Sequence, residues 1–347
     1  MAPEPRRVSS VVERFGGSPS EWNAFIAAQP GATHCHRHEW LGVMAVAFGH
    51  EPIALATRDS SGRLTGVLPL VRVRSLLFGH YLVSMPFLND GGPLGSDDAV
   101  QALAAEATRL ADQGRVKLLE LRARDPLPLD LRVSLRKITV LLELDPDPAK
   151  VLARLPAKLR SQVRRPQKEG VEVRFGADQL DPFYDVFARH MRDLGTPVLP
   201  RRFFRQIAAH HGDAAWFAAA WFQDRPIAGG AGVRFGGEFE ITWASSLRQY
   251  NQFSPNMALY WAYLERASSE GCTAFNFGRC TPDSGTHRFK RQWGGRDVPL
   301  HWYQHGPAAI TPSPDQGGLV GLGPRLWRHL PLPLATALGP GIVRGIP

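Results

Sequence analysis

At 347 residues the chain is long enough for two domains, and 44% hydrophobic with 21% charged residues is an ordinary globular composition. Forty-one basic residues face 32 acidic ones, a net charge of +9. That excess suits nucleic acid, a phosphorylated substrate or an acidic membrane surface, or it is simply solvated surface. The three cysteines form no paired metal motif and no disulfide framework. The start, "MAPEPRRVSSVVERFGG", has no apolar leader core, and no apolar run approaches the roughly 18 residues of a spanning helix. A reducing cytoplasm is the expected setting.

The first candidate chemistry is "HCHRH", residues 34–38. In an extended chain His34, His36 and His38 would share a face. However, "HEWLGVMAVAFGH" continues as an amphipathic helix, which scatters them, and no acidic cluster joins them, so no metal is expected.

Residues 51–122 then read as "EPIALATR" and "RLTGVLPLVRV" paired in a hairpin, a strand "YLVSMPF", a loop "NDGGPLGS", a helix "DDAVQALAAEATRLADQG" and a strand "VKLLELR". Residues 147–175 carry a basic helix with Arg154, Lys158, Arg160, Arg164, Arg165 and Lys168, whose last turn Pro166 should distort or end. Two more helices follow. In the first, Leu180, Phe183, Phe187, Met191 and Leu194 share a face and Gly195 is the C-cap; the second is "PRRFFRQIAAHHG".

The first order then returns. "AAWFAAAWF" and "IAGGAGVRF" form a hairpin, "EFEITWASS" a strand and "LRQYNQFSP" a loop. "NMALYWAYLERASSEG" is a helix with Ser254 as N-cap and Pro255 at its first position, and "TAFNFGR" is a strand. Each half ends on a strand followed by arginine, "LELR" and "NFGR". Duplicated α+β domains are the economical explanation. A tail rich in Pro, Gly and Leu closes the chain. It suits either a membrane-surface contact through Trp327, Arg325 and Arg328, or a segment folded over the body.

Four stretches carry a family resemblance: "KLRSQVRRPQKEGV", "SPNMALYWAYLERASSEGCTAFNFGR", "SGTHRFKRQWGG" and "NDGGPL". Together the chain resembles the FemAB family over roughly residues 15–305, and within it the branch associated with exopolysaccharide and PEP-CTERM/exosortase loci. The resemblance implies an α+β chain of two tandem GNAT-like (acyl-CoA N-acyltransferase) domains, each a mixed twisted sheet flanked by helices. The expected boundaries are 1–146, 147–306 and a tail at 307–347. Two departures stand out: Pro166, where the family keeps a helix former, and no long helical hairpin insert of the kind some relatives place around transfer RNA.

The family implies transfer of an activated acyl or aminoacyl group to an amine, from acyl-CoA or aminoacyl-tRNA, with no permanent cofactor and no covalent enzyme intermediate. The negative oxygen of the transition state then needs fixed donors or cations, each worth about 3 kcal/mol. By resemblance, the pair Phe289-Lys290 faces the reaction centre and Lys290 is the catalytic cation. Arg279, at a strand end, either clamps a phosphate or carboxylate or pairs with Asp283. In "GEFEITWASS", Glu238, Glu240 and Thr242 share one face and Phe239, Ile241 and Trp243 the other. Glu240 is then either a general base or the partner of Arg234. Asn89 and Asp90 sit beside glycines that let backbone approach an acceptor, or form a plain turn. Ser254 heads a helix whose amides suit an anion, but the glycine-rich turn that holds the coenzyme A pyrophosphate is missing. Arg160, Arg164, Trp243, Ser284, Phe289 and Trp293 complete the expected substrate-binding set, the two last being equally placed to cover the core.

The expected protein is thus an acyl- or aminoacyltransferase acting on a small-molecule, glycan or peptidoglycan-precursor amine. It is cytoplasmic, or peripheral at the inner face of the membrane. A non-catalytic duplicated scaffold in polysaccharide assembly and a basic nucleic-acid-binding module are the competing classes; the second would need basic residues interleaved with exposed aromatics.

Overall fold

The order hairpin, strand, loop, helix, strand occurs twice in the structure. A computed structural model describes residues 11–75, 78–308 and 319–346; the opening residues, where no leader is expected, lie outside it. The first half runs β1 (Val12–Arg14), α1 (Pro19–Ala27), a 3₁₀ turn (His34–His36), α2 (Glu39–Phe48), β2 (Glu51–Arg58), β3 (Leu64–Ser75), β4 (Gly79–Val83), β5 (Leu94–Gly95), α3 (Asp97–Gln113), β6 (Leu118–Ala123) and β7 (Arg132–Glu143). The second runs α4 (Pro148–Arg154), α5 (Ala157–Lys168), β8 (Glu172–Phe175), α6 (Leu180–Leu194), α7 (Arg201–His211), β9 (Ala215–Phe222), β10 (Arg225–Phe235), β11 (Glu238–Ser246), α8 (Pro255–Ser269), β12 (Ala274–Cys280), α9 (Gly285–Arg291) and β13 (Arg296–His305). The tail forms α10 (Leu319–Trp327) and α11 (Leu332–Val343).

Among the described residues, 13 strands make one mixed sheet in the order β1-β2-β3-β4-β6-β13-β7-β12-β11-β10-β9-β8, with β5 beside β3. Each half contributes one parallel pair: Tyr81 opposite Leu118 in β4–β6, and Glu238 opposite Ala274 in β11–β12. The halves then exchange their last strands. β7 of the first pairs with β12 of the second, β13 of the second pairs with β6 of the first, and β7 and β13 pair with each other. The two expected sheets are therefore one. Neither β7 nor β13 was expected, because "RVSLRKITVLLE" and "RDVPLHWYQH" interrupt their apolar alternation with charge. Their pairing comes from the other half of the chain.

Three further local expectations change. The basic segment breaks into α4 and α5 around Pro156, while Pro166 sits inside α5 and the helix continues to Lys168. Pro166 is tolerated because only the amide of its own turn is lost, and its carbonyl still accepts from Glu169 and Val171. Ser254 occupies the left-handed region, with φ 49°, and its side chain makes no capping bond. The segment after Arg279, expected as a loop, is the short helix α9, with Ser284 capping it by accepting from the His287 amide at 3.1 Å.

The helices sort into layers. α4, α5 and α8 cover one face of the second half over Phe239, Phe275 and Phe277, with Tyr263 of α8 among them. α3 covers the first half over Leu68, Leu70, Leu119 and Leu121. α2, α6 and α7 bury Trp40, Phe48 and Met85 of the first half against Phe183, Phe203 and Phe204 of the second, so this apolar cluster spans both halves.

Candidate active site

β11 and β12 run parallel only as far as Glu240 opposite Asn276 and then separate. Two local features open them. Thr242 is an extra residue in β11, since Ala231 faces Trp243 while Gly232 faces Ile241. On β12, Gly278 takes φ 70°, and a Cβ there would lie 2.8 Å from the Ile241 carbonyl oxygen. The bulge also corrects the expected alternation: Phe239 and Ile241 enter the core under α8, whereas Trp243 crosses to the other face and meets Phe203 and Phe204.

A cavity of about 360 Å³ lies at this splay. Its floor is Thr242, Trp243, Ala244 and Ser245 of β11 with Arg279 of β12. Phe187, His190, Met191 and Leu194 of α6 form one wall, Phe87 and Asn89 of the first half another, and Val343 of α11 closes the edge.

Of the expected residues, Asn89, Trp243 and Arg279 meet at this cavity, and Glu240 and Asp90 lie directly behind it. Glu240 is buried and accepts from the Asn89 amide, from Thr242 Oγ1 at 3.2 Å and from Asn276 Nδ2 at 3.2 Å, with His34 Nε2 at 3.4 Å. Burial alone would raise its carboxyl, but the bond and charge of His34, with Arg124 and Asn89, hold it below the ordinary range. Burial opposes charge on His34, yet the Cys35 sulfur and Glu240 outweigh it and raise its pKa well above normal. The pair is therefore charged on both sides. With its lone pairs engaged and its pKa depressed, Glu240 fits an electrostatic hub better than a free base. Its expected partner, Arg234, instead bonds Glu270 at 3.2 Å.

Asp90 accepts from the Gly91 amide at 2.8 Å, its second oxygen has no hydrogen bond, and burial pushes its pKa up against the pull of His36 and Arg124. Arg124 reaches Asp90 at 3.9 Å and clamps Glu238 with two bonds of 2.7 and 2.8 Å, tying the first half to the second.

Arg279 has no carboxylate partner among the described residues; Asp283 does not reach it. It lies 5.4 Å from the Trp302 ring, with a long bond of 3.5 Å to the Leu88 carbonyl. Burial and the like charge of Arg122 bring its pKa down to about 10, so it stays cationic at neutral pH. Lys290 is buried under it, donating to the Gly278 and Arg279 carbonyls at 2.8 and 2.9 Å. Burial lowers its pKa to about 8. It is thus held behind the Gly278–Arg279 turn and does not line the cavity.

The remaining expected residues are elsewhere. Trp293 is a core residue, 1% exposed, stacked with Tyr260, and Phe289 packs edge-on to the same tyrosine. Ser284 is occupied as a cap. On α5, Arg160 bonds the carbonyls of Ala153 and Leu155 and Arg164 is exposed; neither lines the cavity, and neither does Ser254.

Three residues were not expected. Asn276 links Glu238, Glu240 and Thr139, and its signal was a single amide in the otherwise apolar "TAFNF". His34 was weighed only as a metal ligand in an extended "HCHRH", whereas residues 34–36 form a 3₁₀ turn that buries it. His190 gave no signal; its Nδ1 bonds the Ser246 carbonyl at 3.1 Å and burial lowers its pKa. His34, Cys35 and Glu240 offer three metal-capable atoms within 4.8 Å. The sulfur lies 3.6 and 3.9 Å from the two ring nitrogens of His34.

A splayed parallel pair with a bulged strand, present in a duplicated chain, defines a class of fold, and the comparisons agree. Residues 153–291 match the family described as acetyltransferase (GNAT) domain. The fold is similar to that of FemX: the chain superposes on the crystal structure of FemX with a TM-score of 0.65 at 14% identity, covering 84% of this chain and 97% of that one. It also superposes on a tandem GNAT protein from the clavulanic acid biosynthesis pathway, with a TM-score of 0.52 at 14% identity, covering 87% and 100%. In sequence it is 25% identical over 154 residues to the UDP-N-acetylmuramoylpentapeptide-lysine N(6)-alanyltransferase of Weissella viridescens. That match covers 43% of this chain and spans 45% of the relative's length.

Proposed function

We propose that the protein is an acyl- or aminoacyltransferase that moves an activated acyl group onto an amine of a cell-envelope or exopolysaccharide precursor, by direct attack. The observation that carries this reading is the cavity at the β11–β12 splay, where Arg279, in direct ion-pair contact with no carboxylate among the described residues, stands against walls from both halves. The alanyltransferase name of the sequence relative supports an amine acceptor of the cell-wall-precursor type. The donor is acyl-CoA or aminoacyl-tRNA.

In this reading the donor carbonyl lies along bulged β11 and its developing oxyanion faces Arg279, an interaction worth roughly 3 kcal/mol in the transition state. Lys290 holds Arg279 in place through two carbonyls and adds its charge from behind. The amine must shed a proton. His190 is the group suited to take it: its imidazole is kept neutral by burial, and its Nδ1–H is committed to Ser246, which leaves Nε2 as acceptor. The charged Glu240–His34 pair fixes Asn89, and so the first-half wall, against the second.

The test is incubation with amine acceptors of the muropeptide and amino-sugar classes, with coenzyme A thioesters and charged transfer RNA in parallel, and products read by mass. Product from one donor class supports the reading and identifies the donor. No product from either, with wild-type folding, leaves the non-catalytic scaffold.

A further inference from the structure

The tail is built into the body on one side and left apolar on the other. α11 packs on α6 through Leu332, Ala335, Gly339 and Val343. The approach is so close that a Cβ on Gly339 would lie 2.8 Å from the Val198 amide nitrogen, and one on Gly195 would lie 2.4 Å from the Pro324 carbonyl oxygen. Arg192 and Arg328 add hydrogen bonds to the carbonyls of Leu330 and Leu194. Yet the outer side of this docked segment carries Leu326, 70% exposed, Leu334, 51%, and Leu338, 53%.

A helix apolar on both sides needs a second apolar neighbour, and among the described residues none covers this face. The charge of the tail itself is one-sided, the acid beside it being Asp193 of α6, which is paired with Arg192. Arg325, Arg328 and Arg344 are exposed, and residues 316–347 contain no acidic side chain. Leucines flanked by arginines, with no acid in the same segment, match an interface between hydrocarbon and anionic headgroups. The tail also borders the cavity, since Leu194, 37% exposed, lines it and Val343 of α11 forms its edge.

From this we infer that the outer face of α10 and α11 docks on an anionic membrane surface, with the cavity mouth at that surface. Resting on the transferase reading above, the acceptor is then an amphiphile whose amine-bearing head reaches the cavity while its tail stays in the bilayer.

Sedimentation of the full chain with phosphatidylcholine vesicles, with and without phosphatidylglycerol, tests the docking without any substrate. The wild type should sediment with the anionic vesicles and be released by salt. Leu334→Asp with Leu338→Asp should reduce binding by about tenfold or more, and Arg325→Glu with Arg328→Glu by a similar factor. These residues are exposed, so wild-type thermal unfolding should be retained; Leu334→Ser with Leu338→Ser is the gentler variant if it is not. Binding that is absent, indifferent to lipid charge or unchanged by both leucine variants overturns the inference. So does a wild-type dimer in sedimentation velocity that Leu334→Asp with Leu338→Asp converts to monomer, because a second copy would then cover the face. Turnover of a water-soluble acceptor, unchanged in the leucine variants, separates failure of the docking from failure of the transferase reading.

Discussion

Arg122 and Arg279, the penultimate residues of the two matching strands, converge on one indole: their guanidiniums lie 4.4 and 5.4 Å from the Trp302 ring, and both point at the Leu88 carbonyl. The duplication thus places two cations side by side, and their settings differ. Arg122 is neutralised by Glu120 at 2.8 Å, whereas Arg279 has no acidic partner among the described residues. One arginine is structural and the other is free to meet an anion.

Substitution should separate them. Arg279→Gln is expected to lower turnover about 100-fold, as for a lost oxyanion donor, with little change in melting temperature. Arg122→Met strands the buried Glu120 carboxylate and should cost about 3 kcal/mol of stability. Denaturant titration and steady-state kinetics of both variants check this; equal loss of stability in the two would remove the distinction.

Lys290 links pH to activity and stability with opposite signs. With its pKa at about 8 in the folded chain against an ordinary 10.5, it loses its charge as pH rises through about 8, and turnover should fall with it. The unfolded chain keeps that proton up to about 10.5, so folding carries a penalty below 8 that fades as pH rises toward 10.5. Lys290→Met should abolish the alkaline limb of the activity profile and flatten the stability profile over the same window.

If His190 accepts the amine proton, kcat/KM rises with pH and levels at an apparent pKa below the usual 6.5. His190→Gln should remove that limb and lower kcat by 10²-fold or more, while Tm stays within a few degrees. A retained acid limb in the variant assigns the proton to another group.

Acid stability should be governed by buried neutral histidines. His211 lies 4.5 Å from the Trp40 ring with neither nitrogen bonded, and burial, with Arg37 nearby, drives its pKa to about 2. Its contribution is complete above 6.5, the unfolded value, and drains away as pH falls below it. At about pH 5 the loss from this one residue is roughly 2 kcal/mol. His211→Phe should therefore unfold at a lower pH than wild type in a far-ultraviolet circular dichroism titration.

Gly278→Ala probes the splay itself. At φ 70° and 2.8 Å from the Ile241 carbonyl oxygen, the new methyl should cost about 1–3 kcal/mol and displace Arg279. Crystallography or loss of turnover beyond the stability effect reads the displacement.

Local patterning was enough for the duplicated order, the α+β class and most elements, because hairpins and amphipathic helices are decided by neighbours within a few residues; the GNAT-like fold was implied by the family resemblance. The arginines closing "LELR" and "NFGR" were visible for the same reason. What lay beyond it depends on contacts between residues far apart in the chain. β7 and β13 are strands only because each half lends its last strand to the other. Trp243 changes faces through one extra residue in β11. Lys290 turns inward to carbonyls that exist as acceptors only where β12 bends. Glu240 becomes a hub, not a base, when His34, two hundred residues upstream, is folded against it. Sequence periodicity reports which side of an element is apolar; which charge stands alone is decided by the partner that tertiary packing brings to it or withholds.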